Sequence, residues 1–138
     1  MDNKVSEEFA KEKLENGFEE AQQLLEDSDK MERFLQRLEK KLRVIPVAGS
    51  KLANVPILAS LLRYYVKKEY TDVPIGTVIA IISALIYFVS PIDIVPDSIP
   101  ILGYSDDAAV VAVCWKLVES DVDEYIKWRE VNNKTIDL

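Results

Sequence analysis

Histidine is absent from the 138-residue chain, and cysteine occurs once, at Cys114. Without histidine the chain has no histidine-based catalytic triad and no histidine metal site. A single thiol cannot form an internal disulfide or a zinc cluster. Its four glycines do not form a phosphate-binding loop of the GxxxxGK or GxGxxG type. We therefore expect no cofactor, and the composition favours a non-catalytic protein over an enzyme.

The net charge of −7 conceals three blocks of opposite sign. Residues 1–29 carry 3 basic and 10 acidic side chains, residues 30–69 carry 10 basic and 3 acidic, and residues 70–138 carry 4 basic and 11 acidic. Either neighbouring helices of opposite charge pack together, or the basic block faces an acidic protein partner or a lipid surface. Nucleic acid is not an expected partner, because the overall acidity repels phosphate at long range.

The first 50 residues predict a hairpin of two amphipathic helices. Apolar side chains form one stripe over residues 2–27 and another over 30–45, with a break and a new cap at Ser28 and Asp29. Glutamate fills the other faces of the first helix, so we expect the two helices to pack antiparallel, acidic against basic. The cations that we expect to meet an anionic surface are Lys30, Arg33, Arg37, Lys40, Lys41 and Arg43.

Further helices are predicted over residues 56–69, 74–89 and 106–119, and the last one is recapped at Ser120 or continues to about residue 131. The run from Val73 to Ile92 carries no charge. A membrane span needs about 20 apolar residues, but only about 16 residues precede the break at Ser90, or about 24 Å of helix. Both a buried central helix of a bundle and insertion into a membrane stay open.

Residues 90–107, the Pro/Asp-rich knuckle, separate the two most apolar predicted helices. Ser90 fits a helix N-cap, with Pro91 at the first helical position and Asp93 three residues after the cap. Gly103 is the predicted left-handed stop, and Ser105 is the predicted cap of the next helix. The predicted structural residues are Ser90, Pro91, Asp93, Pro96, Asp97, Pro100, Gly103, Asp106 and Asp107.

A carboxylate site is the alternative interpretation of the same aspartates. Asp93 and Asp97 share a face if their turn is helical, and Asp106 and Asp107 could fold back toward them. Such a cluster would bind Mg²⁺ or Ca²⁺ through oxygen ligands, or handle protons. Helix capping accounts for most of these aspartates without a ligand.

The run Ala84–Asp107, ALIYFVSPIDIVPDSIPILGYSDD, resembles the signature of the YkvA-like domain of unknown function, which is roughly ALxYFxSPIDxIPDxIPxxGxxDD. The resemblance extends over residues 70–117 and is specific, because its prolines, aspartates and glycine fall at fixed spacing; residues 1–50 lie outside it. Members of this family are bacterial and frequently membrane-associated, and a similar domain is attached to a membrane-bound RING-type ubiquitin ligase in animals. The resemblance implies membrane association and no established activity.

Together these patterns predict an all-α fold, a compact bundle of five to six helices with two central apolar helices joined by the knuckle. We divide the chain into the amphipathic hairpin, residues 1–50, and a YkvA-like helical domain, residues 51–138, packed as one unit. The expected function is a non-catalytic interaction or membrane-associated module, with a cation-binding or proton-handling carboxylate site as the alternative. The charged first 17 residues lack the apolar core of a signal peptide, so we expect a cytoplasmic protein that lies at or in the inner membrane.

Overall fold

A computed structural model describes the chain over residues 3–44, 52–89 and 100–132. Every regular element in these ranges is a helix, which confirms the predicted all-α bundle. The six helices of the described ranges are α1 (Asn3–Asn16), α2 (Phe18–Glu26), α3 (Ser28–Val44), α4 (Val55–Val66), α5 (Ile75–Val89) and α6 (Pro100–Val131).

The helix predicted over residues 2–27 is in fact two helices, because the chain breaks at Gly17. Its backbone N–H donates to the Leu14 carbonyl at 3.1 Å, and the hydroxyl of Ser83 in α5 donates to the same carbonyl. A Cβ atom on Gly17 would collide with the Ser83 hydroxyl and would lie 3.3 Å from the Ser83 Cβ. Glycine at this position therefore permits the backbone of the α1–α2 junction to touch α5.

The N-terminal helices pack differently from the predicted two-helix hairpin. α2 and α3 form the hairpin, since Asp27 alone joins them and they contact one another. α1 instead packs chiefly on α6, and it makes no helix contact with α3. The prediction of one continuous acidic helix lying along the basic helix is wrong, because the break at Gly17 redirects its first half.

α5 is the centre of the bundle, since it contacts each of the other five helices. Nine of its 15 residues are buried, and Ile81, Ile82 and Leu85 have no exposed surface. Residues 75–89 of the charge-free run thus form the buried central helix that one of the two interpretations predicted. Its long sequence of apolar side chains is explained by burial on nearly every side.

Within the described residues, none of the helices combines the length and the apolar character needed to cross a bilayer.

α6 is longer than predicted, because it begins at Pro100 and runs without a break for 32 residues. Gly103 and Ser105 lie within its helical backbone, so the predictions that Gly103 stops a helix and that Ser105 caps one are wrong. Proline is itself favourable at the first helical position. A glycine inside a helix costs only about 1 kcal/mol, which a long packed helix tolerates. Ser120 lies within the same helix and does not recap it.

Polar contacts join α6 to α4 and α5 inside the core. The hydroxyls of Ser60 and Tyr125 are hydrogen-bonded to one another, and the Cys114 thiol donates to the Ala80 carbonyl at 3.5 Å. Nearer the surface, Thr77 Oγ1 donates to Asp121 Oδ2 at 2.5 Å. Because buried polar groups without partners are costly, these contacts fix the register of α6 on its neighbours.

α4 ends in a Schellman motif whose left-handed residue is a lysine. The Glu69 N–H donates to the Tyr64 carbonyl at 2.9 Å, and the Lys68 N–H donates to the Tyr65 carbonyl at 3.0 Å. Lys68 has a φ of 63°, a conformation that glycine adopts at lower cost. The motif turns the chain so that Tyr70 returns to α4, where its N–H donates to the Tyr64 carbonyl at 3.2 Å.

Candidate functional site

α3 is held in place by an N-terminal cap and by one buried stripe. Asp27 Oδ1 accepts hydrogen bonds from the backbone N–H groups of Asp29 and Lys30, each at 3.1 Å. The cap therefore lies one residue before the predicted break at Ser28. The buried stripe consists of Met31, Phe34, Leu35 and Leu38. Because both devices restrain the helix, its solvent-facing side chains start from a fixed backbone.

The six cations predicted to meet an anionic surface lie on α3 but differ in exposure. Lys41 is half-buried, and its Nζ lies 5.2 Å from the centroid of the Phe88 ring at the end of α5. This cation–π contact ties the last turns of α3 to the central helix. The exposed cations are Lys30, Arg33, Arg37, Lys40 and Arg43.

Four of the exposed cations form a continuous line along α3. At 3.6 residues per turn, Lys30, Arg33, Arg37 and Lys40 fall within about a quarter of the helix circumference. We call these four side chains the basic face. Arg43 lies about 100° around the helix from the centre of this line. The predicted set of six therefore comprises four cations in a line, Lys41 in a cation–π contact, and Arg43 as a separate exposed residue.

Within the described part of the chain, nearby carboxylates form no ion pair with the basic face. Glu39, on the opposite flank of α3, forms an ion pair with Arg63 of α4. Among the residues that the structure describes, no carboxylate oxygen lies within 4.0 Å of a side-chain nitrogen of the basic face. The acidic α2 does adjoin the basic α3, as one charge interpretation predicted, but their opposite charges do not meet in ion pairs.

A groove with a volume of about 860 Å³ lies between α2 and α3. Its α2 wall carries Glu19 and Glu20, and its α3 wall carries three cations of the basic face. The residues that line it are Asn16, Glu19, Glu20, Gln23, Leu24, Lys30, Arg33, Gln36 and Arg37. We call this cavity the α2–α3 groove, and its two walls bear opposite charge.

The predicted knuckle is only partly within the described residues. Ser90, Pro91, Asp93, Pro96 and Asp97 lie outside them, as does the predicted cap at Ser90. Pro100, Gly103, Asp106 and Asp107 lie in the backbone of α6, and the structure describes only their backbone. The carboxylate site therefore stays a hypothesis. Within the described ranges, no group of three or more cysteine, aspartate and glutamate side chains is placed to hold a metal ion.

An aromatic cluster that sequence reasoning missed closes the end of the bundle formed by α4 and the second half of α6. Its members are Tyr64, Tyr70, Tyr125 and Trp128, with neighbouring ring centroids 4.9–6.3 Å apart. The three-residue spacing of Tyr125 and Trp128 places them on one helix face. No local signal in the sequence connects these two residues to Tyr64 and Tyr70.

Burial favours the neutral forms of Tyr70 and Cys114 in this core and raises the pKa of both. Burial raises the pKa of Tyr70, and the negative charges of Glu124, Asp72 and Asp121 raise it further. Burial also raises the pKa of the Cys114 thiol to about 12. A thiol that stays protonated is a poor nucleophile. Cys114 therefore lies in the core as a buried, protonated thiol.

Comparison with known proteins identifies similar sequences. The family model described as "Protein of unknown function (DUF1232)" matches residues 77–113, which cover most of α5 and the first part of α6. The chain is also 33% identical over 78 residues to the "Uncharacterized membrane protein YkvA" of Bacillus subtilis (strain 168). That alignment covers 56% of this chain and 74% of the relative. No solved structure matches.

The chain belongs to the DUF1232 family of proteins of unknown function, and the resemblance seen in residues 84–107 is confirmed. The region matched by the family model contains most of the central helix α5 and the first part of α6. The basic face and the α2–α3 groove lie N-terminal to the match of the family model.

Proposed function

We propose that this protein is a non-catalytic helical module that associates with an anionic membrane surface through the basic face of α3. The observation that carries the proposal is a line of exposed cations without ion-pair partners among the described residues. Its relative in Bacillus subtilis is named a membrane protein, which supports the choice of lipid over other anionic surfaces.

The rigidity of α3 makes its cations suited to a flat surface. The Asp27 cap fixes the first turn, and the Lys41–Phe88 contact fixes the last turns. Between them, the buried stripe holds the opposite side of the helix on the bundle. A straight row of cations on an anchored helix can approach a membrane plane together, so the backbone loses little conformational entropy on binding, although the four side chains still lose rotamer freedom.

The strength expected of this contact is modest and reversible. A lysine or arginine near an anionic leaflet contributes about 1 kcal/mol, so four give about 4 kcal/mol, equivalent to millimolar affinity. The net charge of −7 opposes binding at long range. Salt screens charges beyond about 8 Å at physiological ionic strength, so in close contact the basic face dominates.

A non-catalytic role agrees with the chemistry of the core. The Cys114 thiol has a pKa raised to about 12, and burial raises the pKa of Tyr125. The alternative of a cation-binding or proton-handling site rests on Asp93, Asp97, Asp106 and Asp107, and none of the described contacts favours it over the membrane proposal.

Co-sedimentation with vesicles tests the proposal. We expect the protein to pellet with phosphatidylglycerol vesicles at low salt, to remain in the supernatant with phosphatidylcholine vesicles, and to be released by added salt. Replacing Arg33, Arg37 and Lys40 with glutamine should weaken binding about 100-fold, since three charges near the surface are lost.

A matched control changes the same net charge elsewhere. Lys11, Lys67 and Lys127 are exposed cations outside α3, and their triple replacement by glutamine should leave binding within a few-fold of the original protein. Equal weakening by both triple variants would mean that only total charge matters and that α3 is not the contact surface. Absence of binding to phosphatidylglycerol at low salt would refute the membrane proposal itself.

A further inference from the structure

The α2–α3 groove carries charges of both signs, and binding to a purely anionic surface does not explain its acidic wall. Glu19 and Glu20 face the same cavity as Lys30, Arg33 and Arg37. Among the described residues the two walls form no ion pair across it. A site that served only to attract anions would be weakened by the two carboxylates, because like charges repel.

We propose that the α2–α3 groove binds a phosphoethanolamine group, in which a phosphate is joined by two carbon atoms to a primary ammonium. The inference rests on the proposed function, because a lipid headgroup is one source of this group. The phosphate would lie against Arg33 and Arg37, whose guanidinium groups suit bidentate binding of phosphate oxygens. The ammonium would donate hydrogen bonds to Glu19 and Glu20.

Charge complementarity selects this class of ligand over simpler ones. A phosphate alone would meet repulsion from the α2 wall, and an ammonium alone would meet repulsion from the α3 wall. A group with both charges complements both walls at once. A quaternary trimethylammonium cannot donate hydrogen bonds to carboxylates, so the groove should distinguish ethanolamine from choline headgroups.

The volume and lining of the groove permit the proposed ligand. At about 860 Å³ the cavity falls within the range of small-molecule sites, about 300–1,000 Å³. Gln23 and Gln36, one on each wall, supply neutral donors and acceptors beside the charges. Leu24, which also lines the groove, is 7% exposed and closes it toward the core.

The first experimental arm uses vesicles with constant phosphatidylglycerol content and a remainder of either phosphatidylcholine or phosphatidylethanolamine. We expect the full chain to bind the ethanolamine vesicles about tenfold more tightly, the effect of one charge-assisted hydrogen-bonded contact. Glu19→Gln with Glu20→Gln should abolish this preference.

A matched control separates groove binding from total charge. Glu8 and Glu32 are exposed carboxylates that do not line the groove. Glu8→Gln with Glu32→Gln makes the same change in net charge, so it should raise binding to all anionic vesicles yet keep the ethanolamine preference. Thermal unfolding of each variant establishes that it is folded before binding is measured.

The second arm titrates the full chain with soluble glycerophosphoethanolamine, using glycerophosphocholine as the reference, in a calorimeter. Heat with the ethanolamine compound alone, lost in Arg33→Gln with Arg37→Gln, would support a site that accepts the free group as well as the lipid. An ethanolamine preference in vesicles without heat in solution would support the lipid as the sole source.

The two proposals fail in different ways. Equal binding to ethanolamine and choline vesicles, with phosphatidylglycerol binding retained and no heat in solution, would overturn the groove proposal and leave the membrane proposal standing. Ethanolamine-specific heat without any vesicle binding would do the reverse. An ethanolamine preference that survives the Glu19 and Glu20 replacements would also overturn the groove proposal, because the preference would then arise elsewhere.

Discussion

α5 and α3 are anchored in the bundle in different ways, α5 by burial on most sides and α3 along a single buried stripe. α5 is surrounded, contacts the five other helices, and buries nine of its 15 residues. α3 is anchored by four buried side chains and presents a row of cations to solvent. Packing therefore dictates most positions of α5, whereas the outer half of α3 is free of that demand. Charge concentrated where folding does not require it is evidence about binding.

The largest test of this comparison removes a buried leucine from each helix. Leu85 in α5 has no exposed surface, and Leu85→Ala should lower the free energy of unfolding by about 2–5 kcal/mol. Leu38 in α3 is 1% exposed, but α3 lies at the edge of the bundle and can relax, so Leu38→Ala should cost clearly less. Urea denaturation followed by circular dichroism measures both. An equal or larger loss for Leu38→Ala would remove the distinction between a central and a peripheral helix.

The next largest effect tests the contact between α5 and the junction of α1 and α2. Gly17→Ala places a methyl group against the Ser83 hydroxyl and should lower stability by about 1–3 kcal/mol. Adding Ser83→Ala removes the clashing oxygen, so the double variant should be more stable than the sum of the two single effects predicts. Thermal unfolding of all four proteins completes the cycle, and strict additivity would show that Gly17 and Ser83 do not press on one another.

Cys114 offers a pH test of the interface between α5 and α6. The pKa of this thiol is about 12 in the fold and close to the ordinary 9.0 in the unfolded chain, which therefore loses the proton first. The protonated thiol's contribution to the free energy of unfolding is complete below pH 9 and is lost as the pH rises toward 12. Between these values the unfolding free energy should fall by about 1.4 kcal/mol per pH unit. Cys114→Ala lacks this contribution, so its stability should decline less steeply with alkaline pH, and parallel declines would contradict the buried thiol.

The smallest effect concerns α3 alone. Asp27→Ala removes the cap and should lower stability by about 0.5–2 kcal/mol. Asp123→Ala makes the same chemical change at an exposed position within α6 and should stay within about 0.5 kcal/mol of the original protein. Hydrogen exchange at the Asp29 and Lys30 amides should accelerate in the first variant only. Unchanged exchange there would mean that the cap does not hold the basic face.

Local patterns predicted what depends on local physics. The charge-free run predicted an enclosed helix, either at the centre of a bundle or inserted in a membrane, and α5 lies at the centre of the bundle. The stripe and the cations of α3 followed from helical periodicity, which also placed the basic face of the candidate site. The break at Gly17 did not follow, since the reason for that glycine is Ser83, more than sixty residues away.

Other errors have local as well as long-range origins. The start of α6 at Pro100 was missed because Gly103 has the character of a stop, whereas the helical backbone continues through it. The left-handed lysine at residue 68 was missed for a local reason, because glycine is the usual residue at this position of a Schellman motif. The groove could not be predicted, because the approach of Glu19 and Glu20 to Arg33 and Arg37 depends on how α2 turns after the break.

The central helix α5 follows α1, α2 and α3 in the chain, and this order has a consequence for synthesis. α1, α2 and α3 are all made before the helices on which they rest, and α1 must await α6 for its main contact. Until then only contacts among these three helices, chiefly the α2–α3 hairpin, can cover their apolar stripes, and chains with exposed apolar surface are prone to associate wrongly. The many charges of the first 44 residues would keep this segment soluble until the central helix has been translated.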